Sequence, residues 1–263
     1  MITSIKNPLI KQVRKLHRHQ ERQKQNLLLL EGTNLIVAAC QVDYKLDIIF
    51  CTDRWRENHR QLWGILTHRE TRIQLVSSEV LNAIATTINP DGVVAIAPFR
   101  VSTIPEISST RLGLAVERLQ DPGNLGTIIR TAVATGVDGL WLSTESVDIN
   151  NPKVLRASVG EWFRLTIATG QDLPTVVRQH QQQGVRVIAT ISQGSKNYWD
   201  LDFNRPSLIL LGNEGAGLSP DLIDLADERV TIPLDNQVES LNVAIAASLV
   251  LYEAKRQSRL TIF

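Results

Sequence analysis

The sequence predicts an α/β fold in two parts, on three observations. Short apolar runs alternate with helix-patterned stretches along the chain, the order that builds a mostly parallel sheet with helices on both faces. A stretch at 99–110 rich in Ser and Thr, with Pro105 inside it and Pro98 just before it, divides the chain into 1–98 and 111–263 and reads as a linker. In the second part, polar residues and glycines stand at the ends of apolar runs, where open α/β sheets place their ligands.

The elements follow in order. Asn7 and Pro8 read as an N-cap and a first helical residue. At 100° per residue, Lys11, Arg14, Lys15, Arg18 and Arg22 then share one face of a helix, and Leu9, Val13 and Leu16 the opposite one. Strands are expected at 27–30, 46–51, 73–76 and 93–97, with helices at 33–41, 55–67 and 78–85 between them. The second part opens with a strand at 112–116 and a helix at 125–135 closed by Gly136. A strand at 140–143, a helix at 152–162, a strand at 165–168 and a helix at 174–183 closed by Gly184 come next. Strands at 185–191 and 208–211, a helix at 220–226, a strand at 230–232 and a last helix from about Ser240 to Gln257 complete the reading.

Composition narrows the function. With 43% hydrophobic and 21% charged residues, the 263-residue chain is globular in type. No apolar run approaches the roughly 20 residues of a membrane span. Residues 1–24 are polar and basic, without a signal-peptide core. Cys40 and Cys51 alone cannot build a disulfide framework or a zinc cage, so a reduced, cytoplasmic protein is expected. The net charge of +1 hides an asymmetry: residues 1–100 carry +5 and the remainder −4. Glu21 is the only acid among the first 30 residues. The basic helix is either a solvated face or a contact for RNA phosphates; five such contacts would give a log–log salt slope of about −3.5 to −4.5.

No G-x-G-x-x-G follows a strand, and no P-loop or H-E-x-x-H is present. His17, His19, His59, His68 and His180 all lie outside the polar segments, so metal and Ser–His chemistry lack parts and no metal site is expected. Three segments remain. In the first, Asn124 stands at a helix start and Arg130 about two turns on; in the second, Glu214 lies between Gly212 and Gly215 after a strand. In the third, Pro233 ends a strand, Ser240 stands as N-cap of the last helix and Asn242 lies in its first turn. Singly, each reads equally well as a cap or a turn.

Together, and in this order, the segments N-x-G-x-x-x-R-x-A (Asn124 to Ala132), G-x-E-G-x-G-L (Gly212 to Leu218) and I-P with S-L-N-V-A (Ile232 to Ala244) resemble the SpoU/TrmH family. These are S-adenosylmethionine-dependent RNA 2′-O-ribose methyltransferases of the SPOUT class. Residues 2–11 and Leu30 to Gly32 resemble the family's N-terminal substrate-binding domain, so the likeness spans nearly the whole chain. It implies a knotted SPOUT domain with a deep trefoil knot, preceded by a small L30e-like α/β domain. It also implies a homodimer, with the last helix at the interface, and a ribosomal rather than transfer RNA substrate. Gly212, Ile232 and Leu241 would contact the cofactor, largely through backbone groups. Asn124, Arg130, Glu214, Ser240 and Asn242 would form the catalytic set, with Arg130 beside the attacking oxygen as a charge stabiliser rather than a base. The chain departs from the family at Asn236, where glycine is usual, and at Leu234, where methionine is common. Asparagine tolerates the left-handed conformation the loop needs. A silent RNA-binding or ribosome-assembly protein, a transfer-RNA enzyme and an unknotted nucleotide or sugar-phosphate enzyme are the competing readings.

Overall fold

The computed structural model describes residues 1–69, 71–100 and 107–260; most of the expected linker therefore lies outside the described residues. The chain forms two compact units, one made of Met1–Val101 with Asp148–Phe163, the other of Ser102–Val147 with Arg164–Phe263. No helix among the described residues is long and apolar enough to cross a membrane.

The first unit begins with α1 (Pro8–Lys15), α2 (His19–Gln25), β1 (Leu27–Glu31) and α3 (Thr33–Gln41). It continues through β2 (Ile48–Cys51), α4 (Asp53–Asn58), α5 (Arg60–Thr67), β3 (Arg72–Leu75), α6 (Ser78–Ile84) and β4 (Val93–Pro98). Its sheet has the order β1-β4-β2-β3; β4 is antiparallel to both neighbours and β2 and β3 are parallel. Alternation along the strands turns Leu29, Phe50, Val94 and Ile96 to one face, where Ile10, Val13 and Leu16 and, from α6, Val80, Leu81 and Ile84 close the core. Asn7 caps α1 as expected, its Oδ1 accepting from Leu9 N at 2.9 Å. The expected helix at 55–67 is two helices, broken where His59 leaves helical geometry and its ring stacks on Trp55 at 4.8 Å.

The basic helix needs a larger correction. Arg18 is extended, with φ −92° and ψ 133°, and splits the helix in two. Arg22 is thereby turned inward and is 3% exposed. Its Nη1 donates to the carbonyls of Leu16 and His17 at 2.9 and 3.0 Å, and its Nη2 to Asp148 Oδ2 at 2.7 Å. Arg22 thus caps the end of α1 and cannot belong to a phosphate-binding face. Burial pushes the Asp148 carboxyl up, but hydrogen bonds from Arg22 and His19 outweigh it and hold the group below its ordinary range.

The second unit carries β5 (Leu112–Val116), α7 (Pro122–Thr135) and β6 (Gly139–Ser143). The chain then crosses to the first unit as α8 (Pro152–Ala157). It returns as β7 (Ile167–Gln171), α9 (Leu173–Gln182), β8 (Arg186–Thr190), β9 (Lys196–Asn197), β10 (Ser207–Leu211), α10 (Pro220–Leu225), β11 (Glu228–Thr231) and α11 (Val243–Leu260). The seven strands have the order β7-β6-β5-β10-β8-β11-β9, every pairing parallel. The expected knot agrees with this order, in which β10 inserts between β5 and β8. Trp141, Val187, Leu208 and Leu210 face α9 and α10 in one core, while α7 and α11 pack on each other. His180 lies fully buried in that core, edge-on to Trp141, and burial pushes its pKa down.

Residues 148–163 depart from the expectation of one uninterrupted unit from 111 onward. Their anchors explain why: Asp148 pairs with Arg22, Arg156 with Glu31 at 3.0 Å, and Trp162 packs edge-on against Tyr44. Gly160, at φ +89°, sits so close to α3 that a Cβ there would lie 2.2 Å from Ala38 Cβ. Val159 and Gly160 both take positive φ, so the helix expected to 162 stops at Ala157.

Arg22→Ala leaves Asp148 short of its partner and two carbonyls uncapped, and is expected to cost about 3 kcal/mol of stability. Arg14→Ala, on an exposed face, is expected to cost no more than about 0.5 kcal/mol. Urea unfolding of both variants checks this; equal stabilities would remove the capping role from Arg22.

Candidate active site

The loops after β5, β10, β8 and β11 all leave the same edge of the parallel sheet. At β5 and β10 the chain runs to opposite sides, the switch point where such sheets open a crevice. A cavity of about 420 Å³ lies beside that point, walled by the chain at the ends of β8, β10 and β11. Thr190 to Ser192 line it after β8, Gly212 to Leu218 after β10, and Ile232, Leu234 and Glu239 to Leu241 after β11. Its size falls within the roughly 300–1,000 Å³ of small-molecule sites.

The loop after β10 is the most constrained wall. Asn213 and Gly217 exchange backbone hydrogen bonds at 3.0 Å, and Asn213 Oδ1 accepts from Gly215 N and Ala216 N at 2.9 Å. The loop folds back so tightly that a Cβ on Gly212 would stand 2.1 Å from Gly217 C, so no other residue fits there. Asn213 Nδ2 also donates to Arg118 O at 2.7 Å, fixing this loop to the one after β5.

Glu214 strengthens that junction. Its Oε1 accepts from Asp121 N and Asn124 Nδ2, both at 3.1 Å, and its Oε2 from Gln120 N at 3.2 Å. Asn124 Oδ1 in turn accepts from Asn242 Nδ2 at 2.9 Å. Asn242 Oδ1 accepts from Ala244 N at 2.9 Å and caps α11. Burial pushes the Glu214 carboxyl up, but the donors from Asn124, Asp121 and Gln120 prevail and lower it. Glu214 is therefore a fixed anion holding three loops.

Of the expected site residues, Gly212, Glu214, Ile232, Ser240 and Leu241 line the cavity, and Asn124 and Asn242 join Glu214 in one chain of hydrogen bonds. Arg130 is exposed on α7 and has no hydrogen bond or ion pair to any of them among the described residues. Two capping expectations change. Asp121, not Asn124, caps α7, its Oδ1 accepting from Asn124 N at 2.9 Å, so the helix begins at Pro122. Asn242, not Ser240, caps α11, because the loop stays irregular to that point. Asn236 takes φ 56°, as the left-handed expectation requires, and Gln237 follows at 60°. Sequence reasoning missed Asn213, whose place beside glycine is a turn signal, and the cavity residues Thr190, Ser192 and Glu239, which carry no motif.

A family model described as the SpoU rRNA Methylase family matches residues 111–252, and one described as MRM3-like substrate binding domain matches residues 7–95. The chain is 46% identical over 256 residues to an uncharacterized tRNA/rRNA methyltransferase of Synechocystis sp., covering 97% of this chain and 93% of the relative. It is 34% identical to the 23S rRNA (guanosine(2553)-2′-O)-methyltransferase RlmP of Bacillus subtilis, covering 97% and 98%. Among solved structures, the AdoMet-bound rRNA methyltransferase of Sinorhizobium meliloti superposes with a TM-score of 0.85 at 32% identity, covering 97% of each chain.

Because the folded state lowers the Glu214 pKa, the carboxylate stabilises the fold above its ordinary titration range, and that contribution is lost as pH falls through the folded value. Glu214→Gln is expected to flatten this acid limb. Urea midpoints of wild type and variant between pH 3.5 and 7 test it; parallel curves would show that Glu214 has no net effect on the loop junction.

Proposed function

The chain belongs to the SpoU rRNA methylase family, and on that premise we propose that it transfers a methyl group from S-adenosylmethionine to a ribose 2′-hydroxyl of ribosomal RNA. One observation carries the reading: a cavity walled by a glycine-dependent loop, whose Glu214 is bonded to Asn124 and through it to Asn242. The cavity fits the cofactor. Gly212 and Ile232, just past the ends of β10 and β11, and Leu241, just before α11, would hold it, largely through backbone groups. When bound, it supplies an activated methyl on a sulfonium leaving group.

The chain's own residues align and stabilise. Glu214, Asn124 and Asn242 fix the loops that shape the site, and Ser240 offers a hydroxyl to cavity or substrate. Arg130 stands as an exposed guanidinium with no protein partner among the described residues, available to the developing charge on the 2′-oxygen. A guanidinium does not deprotonate in proteins, so its role is electrostatic. Lys11, Arg14, Lys15 and Arg18, all exposed, would meet RNA phosphates, and ribosomal RNA as substrate implies a cytoplasmic setting.

We also infer a homodimer. Ile245, Leu249 and Tyr252 are exposed at helical spacing on α11 and line a groove with Tyr198. Such a contiguous apolar face marks an interface. Leu249→Glu is expected to convert a dimer to monomers in light-scattering measurements; a wild-type monomer would end this reading.

Incubation with labelled S-adenosylmethionine and ribosomal RNA is expected to yield a 2′-O-methyl nucleotide. Cofactor binding without transfer to any RNA would instead favour a silent RNA-binding protein. Arg130→Ala is expected to lower transfer by roughly 10²–10³-fold with cofactor affinity unchanged. Arg130→Lys, which keeps the charge without the fork, is expected to retain part of the transfer; near-wild-type transfer by Arg130→Ala would remove the proposed role of the charge.

A further inference from the structure

Ile88 is 94% exposed, the most of any large apolar side chain among the described residues. Single exposed apolar residues are ordinary; the loop that carries this one is not. Its near foot is fixed by Glu31, whose side chain is only 3% exposed. Glu31 Oε1 accepts from the Thr86 hydroxyl, and its Oε2 from Thr87 N at 3.2 Å and the Thr87 hydroxyl at 3.3 Å. Arg156 closes this cluster, pairing with Glu31 and donating to Thr86 Oγ1 at 2.8 Å. The far foot is fixed by Asp91, whose Oδ2 accepts from Thr33 N at 2.7 Å, and by Gly92, packed beneath Trp55. The loop is thus held at both feet while the Ile88 side chain at its tip stands open to solvent.

The neighbouring surface is basic. The His17 ring donates from Nε2 to Ile84 O at 2.9 Å, immediately before the loop, and α1 packs on α6. The exposed side chains of Arg14 and Arg18 flank His17 in sequence. Exposed cations on the neighbouring helix and an exposed apolar tip on an anchored loop suit RNA, in which phosphates alternate with bases whose faces accept an apolar side chain when unstacked.

Resting on the ribosomal-RNA reading, we propose that the 86–91 loop is the base-contacting part of the RNA surface of the first unit, with Ile88 packed on an unstacked base and Lys11, Arg14 and Arg18 on the flanking phosphates. The two kinds of contact respond differently to salt, because only phosphate contacts release counterions.

The test measures binding of a 23S ribosomal RNA transcript across a salt series by wild type, Ile88→Ala and the triple variant Lys11→Ala, Arg14→Ala, Arg18→Ala. Ile88→Ala is expected to weaken binding about tenfold at every salt concentration with the log–log slope unchanged, and to leave thermal stability and cofactor affinity as they were. The triple variant is expected to lower the slope by about 2 to 3. RNA binding by Ile88→Ala equal to wild type would overturn the proposal while leaving the ribosomal-RNA reading intact. A wild type that binds the cofactor but no RNA would overturn both.

Discussion

The second unit depends on one carboxylate. The loops after β5, β10 and β11 leave the same edge of the sheet and share a common partner. Glu214 supplies it, accepting two backbone N–H groups from the loop after β5 and the amide of Asn124. Asn124 passes the constraint to Asn242, which caps α11. The cavity floor, the start of α7 and the start of α11 are therefore set by one chain of hydrogen bonds. Such a network positions groups well because each donor has a single acceptor and each acceptor is occupied. The backbone does the rest: Gly212 permits a return so close that a single methyl group would block it.

The first unit uses charge in the same economical way. Asp148–Arg22 and Glu31–Arg156 both tie residues 148–163, or the segments they touch, into the small sheet. Removing one partner of such a buried pair costs far more than an exposed pair is worth. The α8 segment is thus a strut held by ion pairs and by the contact of Gly160 with Ala38, and its sequence position among the strands of the second unit conceals this.

That concealment marks the limit of what the sequence reveals. Strand and helix positions were legible because apolar period and caps are local: Asn7, Gly136 and Gly184 act where local chemistry puts them. The cavity residues Gly212, Glu214, Ile232 and Leu241 were legible because three motifs occur in order. Arg22 was not, because its burial is decided by an extended Arg18 and by Asp148, more than a hundred residues away. A helical projection assigns faces only while the helix continues. The caps Asp121 and Asn242 were missed for a related reason, since a motif's most recognisable polar residue need not be the one that begins the helix.

The geometry also narrows where the proton goes in the proposed transfer. Glu214 is a poor acceptor, since its oxygens already take three hydrogen bonds and its pKa is lowered by them. Asn124 and Asn242 carry no basic group, and the guanidinium of Arg130 has none to offer. Among the described residues no histidine lines the cavity, and His180 is fully buried in the core. What this set can do is hold the reacting oxygen and stabilise charge as it develops there, which favours a mechanism in which the proton leaves to the substrate's own phosphate. On that account the protein would contribute alignment and a positive charge, and the RNA both nucleophile and base.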